Sequence, residues 1–360
     1  MSKLQAGDQS NQALVENGTV VFNGHTYGEI RQIAIDVAKA EVLPAARAVA
    51  AELIEDRVNI ITDMVLRAIM KRDSELLRSF SNPRFLAPLV SAQKSYAETG
   101  DDELGSVLSG LLTSLASEPI RTRKEIVLRE AIECAPKLTS QHLGALSAIL
   151  LIQRFSFQVA RNLDHLLEMM DEFLQPYYRA IPNSAFELQY MAATPAGSYL
   201  PFGATTVYKV VRNSHPQALY DHIDEADLKE NFDLSQPSVN DELRAVLAKL
   251  PAASPEEENR FKIKVSESPR LLSDSSAKQR RLNSTEQRLR EIVLAKSVSS
   301  TELSNKAHAN YPQLAEFLDT LESCHAVEFQ LSPVGMMLAR HEIVSRTPEL
   351  ANDIDSIFND

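Results

Sequence analysis

Glycine is scarce in this chain, at 11 of 360 residues, which disfavours a sheet-rich protein or one built round a phosphate-cradling loop. Cysteine is scarcer still. Cys134 and Cys324 stand far apart, and two reduced core thiols in a reducing compartment are expected. No long apolar run is present: the longest, Leu143 to Ile152, has about half the length needed to cross a bilayer. The stretch Met1 to Asn17 is polar and has no apolar h-region, so a cytoplasmic protein without a membrane span is expected. There is no G-x-S-x-G elbow and no phosphate loop.

What is present favours helix. Alanine and leucine dominate a chain that is 44% hydrophobic, enough for a sizeable interior. At 360 residues it exceeds the usual single core, so two domains are the natural starting point. The formal charge of -12 repels nucleic acid on average, and any such role requires a local basic patch.

Along the chain, residues 1–25 read as a disordered tail with a short strand at Thr19 to Phe22, turning at Asn23-Gly24. Thr26 and Glu29 form a capping box that starts a helical core domain over 26–192. Within it a long helix runs from Pro44 to about Lys71, with an apolar stripe through Val49, Leu53, Ile60, Ile61, Met64, Val65 and Ala68. Asn82-Pro83 opens the next helix and Gly100 closes it. Asp101, Asp102 and Glu103 suit the first turn of another, and further helices are expected over 121–134, 140–157 and 161–180, with Pro176 bending or ending the last. These read as an antiparallel bundle or stack.

Pro195, Gly197, Pro201 and Gly203 break the pattern, so 193–283 reads as an irregular insert and linker. It holds strand-like runs at Thr205 to Val211 and Phe261 to Val265, and a helix around 238–250. Residues 284–346 order as three helices, a strand from Ala326 to Leu331 and a last helix. That order suggests a smaller winged-helix-like α(+β) module, with Ser284/Gln287 and Ser299/Glu302 as caps; 347–360 is an acidic tail.

No catalytic constellation or metal site emerges, and no cofactor is expected. His215 and His222 are seven residues apart and read as solvated residues of a loop and helix start. His165, beside Asp164, reads as a helix-surface residue, and its spacing from Arg161 is one short of a helical ribonuclease pattern. One basic cluster, Lys278, Arg280, Arg281, Arg288 and Arg290, offers non-specific contact with nucleic acid. The third helix of the C-terminal module carries Glu316, Asp319 and Glu322 and no Lys or Arg, which disfavours base reading in a groove.

The stretch 79–152 resembles the abortive-infection alpha (Abi-alpha) family of bacterial proteins. The resemblance lies in Asn82-Pro83, Glu98-Thr-Gly-Asp-Asp-Glu-Leu104, Leu111-Leu112 and Pro136-Lys-Leu-Thr139 ahead of a helix with Ala145, Ile149 and Leu150. Within 284–346, Phe329-Gln-Leu-Ser-Pro-Val-Gly335 is similar to the L-T-x-x-G run that ends those chains. The resemblance implies a helical fold and a part in phage defence, and supplies no active-site residues.

The expected function is therefore a non-enzymatic phage-defence protein acting through protein contacts. It would work as a homo-oligomer joined along Leu53, Ile60, Met64 and Ala68, with a phage or host protein as partner. The alternatives are a winged-helix regulator touching nucleic acid through the basic linker, and an unrecognised helical nuclease.

Overall fold

A computed structural model describes residues 13–16, 19–22, 25–26, 43–155, 157, 160–179, 181–201, 203, 205–251, 259–264, 266–267, 271–272 and 281–356. The chain is mainly helical, with a few short antiparallel strands. It divides into two units, residues 1–63 with 93–100 and residues 64–92 with 101–360.

In the first unit, β1 (Ala13–Glu16), β2 (Thr19–Phe22) and β3 (His25–Thr26) pair in order as an antiparallel sheet. The strand expected at Thr19 is present. Ala13–Glu16, expected as tail, is a strand because it pairs residue for residue with β2, Ala13 opposite Phe22 and Glu16 opposite Thr19. Thr26 belongs to β3 rather than to a helix cap, and the helix expected to follow it falls on residues outside the described ones.

Two long helices, α1 (Leu43–Arg72) and α2 (Pro83–Thr99), contribute to both units. Among the described side chains of α1 the fully buried ones are Ile61, Val65 and Ile69, one helical turn apart. Arg57 donates from Nη1 to the carbonyls of Ala97 (2.8 Å) and Glu98 (3.2 Å), satisfying the last turn of α2. Gly100 ends that helix at φ 65°, as its position predicted. Pro88, inside α2, has no N–H to give the Arg84 carbonyl, and Arg129 Nη1 donates there instead at 3.3 Å.

The second unit is centred on α14 (Pro333–Arg346). It packs against α3 (Asp102–Ala116), α4 (Arg123–Cys134) and α5 (Ser140–Arg154). Small residues let the backbones approach: Ser147 Oγ on α5 donates to Leu143 O and lies 3.4 Å from Ala339 O, and a Cβ at Gly110 on α3 would sit 2.9 Å from the His341 ring. The residues 284–346 are therefore not set apart as a module, because their last helix lies inside the helical core. The strand β7 (Phe329–Leu331) pairs with β4 (Gly197–Tyr199), antiparallel, with Gly197 opposite Leu331. Three residues of the expected strand, Ala326–Glu328, form a 3-10 turn instead.

The described residues of 193–283 hold more regular structure than the segment's Pro and Gly content suggests. They form α8 (Val207–Ser214), α9 (Glu225–Asn231), α10 (Pro237–Val246) and the hairpin of β5 (Leu247–Lys249) with β6 (Phe261–Ile263). The strand expected over Thr205 to Val211 is α8. Thr206 Oγ1 accepts the Lys209 N–H at 3.1 Å, and Glu322 reaches across to accept the Val207 N–H at 2.6 Å. Those caps outweigh the strand preference of its valines. A second apolar cluster joins this segment to α11 (Ser284–Lys296) through Tyr220, Ile223, Leu243, Ile263, Leu289 and Val293, so the chain does not change domain at 283. The α11 cap is Asn283 with Glu286, one residue earlier than Ser284 with Gln287, since Asn283 Oδ1 accepts the Glu286 N–H at 2.8 Å and Glu286 accepts the Asn283 N–H at 3.0 Å. Two further helices, α12 (Ser300–Asn310) and α13 (Pro312–Ser323), complete the order. The acidic tail is docked as a 3-10 turn and α15 (Ala351–Ser356), with Leu350 and Ile354 buried.

Candidate functional site

The first turn of α4 mixes charges: its carboxylate, Glu125, is buried and paired with Arg84 and Arg129, and two cations precede it. A helix N-terminus is its positive end and favours carboxylates, yet the first two residues after the Thr122 cap are Arg123 and Lys124, both exposed. They open onto a cleft of about 580 Å³ within the second unit. Arg72, from the end of α1, and Arg340, from α14, add two more cations to its lining. Val127, Pro333, Met336 and Met337 supply an apolar wall. In a chain of formal charge -12, this is a concentrated positive concavity, of a size that suits a small ligand.

A buried polar pair lies against this cleft. Ser114 on α3 and His341 on α14 are both nearly sealed from solvent, and Ser114 Oγ is 3.0 Å from His341 Nε2. The other ring nitrogen, Nδ1, is 2.8 Å from the Met337 carbonyl, which can only accept, so the ring proton sits on Nδ1. Nε2 is then an acceptor, open to the Ser114 hydroxyl and to Arg340 Nη1 at 3.1 Å. Arg72 Nη1 reaches Ser114 Oγ at 3.4 Å. Burial, helped by the Arg340 charge, pushes the His341 pKa down to about 3. A base that weak draws little from a serine hydroxyl at neutral pH, so the pair is suited to fixing the two arginines rather than to making a nucleophile.

Among the described residues, the one carboxylate that lines the cleft comes from α15. Asp355 on α15 takes Arg340 in a two-pronged pair, Nε to Oδ1 at 2.5 Å and Nη2 to Oδ2 at 3.0 Å. Lys124 pairs with Glu118 at 2.9 Å. Neither Arg72 nor Arg123 has an ion-pair partner among the described residues.

None of these residues stood out in the sequence, although Arg123-Lys124 directly after a threonine cap was a usable signal. Of the residues singled out there, Lys278 and Arg280 lie outside the described ones. Arg281 is exposed, Arg288 pairs with Glu291 at 2.7 Å, and Arg290 is half-buried. On α1, Leu53 and Ile60 are 48% and 47% exposed, while Met64 and Ala68 are half-buried. The expected stripe thus splits: Ile61 and Val65 join Ile69, which lay outside it, in a buried inner row, and Leu53 and Ile60 lie in an outer one.

His215 is not solvated. It is buried, stacked on Phe157 with centroids 5.4 Å apart, and burial lowers its pKa to about 4. His222 is half-buried, and His165 Nδ1 accepts the Arg161 N–H at 3.3 Å, a local turn contact. Two of the three carboxylates singled out on α13 are committed to neighbours: Glu322 caps α8, and Asp319 accepts from Tyr208 OH at 3.2 Å and lies 2.9 Å from His308 Nε2, while Glu316 is exposed. Both cysteines are buried and free. No group of three metal-ligating side chains is found among the described residues, and no helix there is long and apolar enough to cross a membrane.

A protein-family model described as “:-like” matches residues 24–354, nearly the whole chain, and the chain belongs to that uncharacterised family. Its description makes no reference to abortive infection. No curated protein and no solved structure matches the chain.

Proposed function

We propose that this chain is a non-enzymatic binding protein of bacterial phage defence, of the abortive-infection type, which takes an anionic ligand in the cleft between α3, α4 and α14 and acts through protein contacts. The observation that carries this reading is the cleft: four cations and an apolar wall gathered in one concavity of an acidic protein. The low basicity of His341 favours binding over proton transfer. The defence setting draws its support from the resemblance, and the stretches that carry it, 79–152 and 284–346, are those that contain α3, α4 and α14. Self-association draws its support from the half-exposed apolar side chains of Leu53 and Ile60 on α1. The winged-helix regulator has less behind it, because Glu322 and Asp319 of α13 are engaged with α8 and α12 and Glu316 leaves the helix acidic where it is exposed.

The test is a phage panel on cells carrying no gene, the wild-type gene, or the doubly substituted Arg123→Ser, Lys124→Ser gene. The wild type is expected to lower plaque numbers for at least one phage, and the double variant, expressed and folded, to restore them. Protection by neither gene against any phage would remove the defence setting. Equal protection by both would remove the cleft from the function.

A further inference from the structure

The Arg340–Asp355 pair shows what the cleft accepts. A guanidinium offering Nε and Nη2 side by side matches an anion with two oxygens in one plane, and the chain supplies that anion itself. One carboxylate is a poor match for the whole cleft, however. It leaves Arg72 and Arg123 without an ionic partner, at the positive end of α4. A phosphate monoester brings up to two negative charges and three acceptor oxygens, which answers that surplus.

Resting on the reading of this cleft as a binding site, we propose that its ligand is a mononucleotide-sized phosphate monoester, whose phosphoryl group replaces the Asp355 carboxylate on Arg340 while its organic part lies along Met336, Met337, Val127 and Pro333. The volume of about 580 Å³ suits such a molecule and not a nucleic-acid strand. Methionine, flexible and polarisable, packs well on a planar ring. The exchange requires little of the fold. The Asp355 side chain is 47% exposed and can rotate into water, while Ile354 and Leu350 keep the C-terminal segment docked. The Ser114–His341 pair holds Arg72 and Arg340 in place through the exchange, because its ring proton is directed at Met337 and away from the ligand.

Calorimetric titration of the full chain with inorganic phosphate, adenosine monophosphate and adenosine tests this. The monophosphate is expected to bind, inorganic phosphate to bind at least tenfold more weakly, and adenosine to give no measurable heat. Arg123→Ser is expected to weaken the monophosphate at least tenfold with an unchanged melting curve, since the residue is exposed. Asp355→Asn is expected to tighten it severalfold, because a neutral amide competes less for Arg340. No binding of either phosphate at millimolar concentration overturns the ligand class. Binding unaffected by Arg123→Ser overturns the site, and affinity unchanged by Asp355→Asn overturns the exchange. If phage protection is lost in the cleft variants while no phosphate binds, the ligand proposal fails and the functional reading stands.

Discussion

The Ser114 hydroxyl on α3 and the His341 ring on α14 meet at 3.0 Å, in a place from which both are almost sealed. The imidazole is stable there only when neutral. Its pKa falls to about 3, and that of His215, buried beneath Phe157, falls to about 4. In the unfolded chain both titrate near 6.5. Between these values the unfolded state binds protons that the native state refuses. The favourable contribution is full above about pH 6.5 and declines as pH falls toward 4 for His215 and toward 3 for His341. The slope is roughly 1.4 kcal/mol per histidine for each unit inside that window. Urea unfolding at pH 7, 5.5 and 4.5 should show the decline, and His215→Phe should make it shallower. A flat profile would mean the rings are charged where they lie.

Arg346 should be among the costliest side chains to remove. Glu342 is buried, which raises its carboxyl pKa, and its partner is Arg346, Nε to Oε1 at 2.5 Å. The same guanidinium reaches Glu103 at 3.2 Å and lies over the Tyr177 ring. Arg346→Met strands Glu342 and is expected to destabilise by about 3–5 kcal/mol. Adding Glu342→Gln should return a good part of that loss. A double variant as unstable as the single would show that packing, not charge, is at stake.

Gly335 should resist enlargement. A Cβ there would stand 1.9 Å from the Ala196 carbonyl oxygen, which is backbone and cannot swing aside. The first turn of α14 would have to move, and with it the Ser332 contacts that bind the turn to Ala196 (N–H to O, 3.0 Å) and Pro195 (Oγ to O, 2.5 Å). Gly335→Ala is expected to cost about 1–3 kcal/mol or more. A melting temperature equal to the wild type's would contradict the close approach.

The outer row of α1 is where the proposed self-association can be tested. Leu53 and Ile60 are each about half exposed, so a charge at either leaves the buried row of Ile61, Val65 and Ile69 intact. The double variant Leu53→Glu, Ile60→Glu should melt as the wild type does while shifting the light-scattering mass down to 40.0 kDa. A wild type already at that mass would end the idea of self-association.

Local chemistry was legible in the sequence, and partnership at a distance was not. Phe329-Gln-Leu-Ser-Pro-Val-Gly335 illustrates both. Ser332 before Pro333 announced a helix start, and its Oγ does accept the Val334 and Gly335 N–H groups at 3.1 Å. Nothing local announced that Phe329 would pair with Tyr199, or that Gly335 would meet Ala196, because such strands are three residues long and their partners lie far along the chain. The same holds for Glu322, whose cap on α8 turned a strand-like run of valines into a helix. The cleft was hidden for this reason as well: its cations come from α1, α4 and α14, and only folding gathers them.

The place of α14 at the middle of the second unit sets an order of events during synthesis. The helices that receive it, α3 to α5, are finished by Arg154, but α14 ends at Arg346. At roughly 5–20 residues per second, the ribosome needs about 10 to 40 seconds to supply the missing piece. Throughout that interval the faces of α3 and α5 that carry Gly110, Ser114 and Ser147, and that later meet His341 and Ala339, have nothing yet made to cover them. A chaperone that binds apolar segments therefore has a long opportunity here, and a transcript cut short anywhere before α14 yields a product that stays in that open condition.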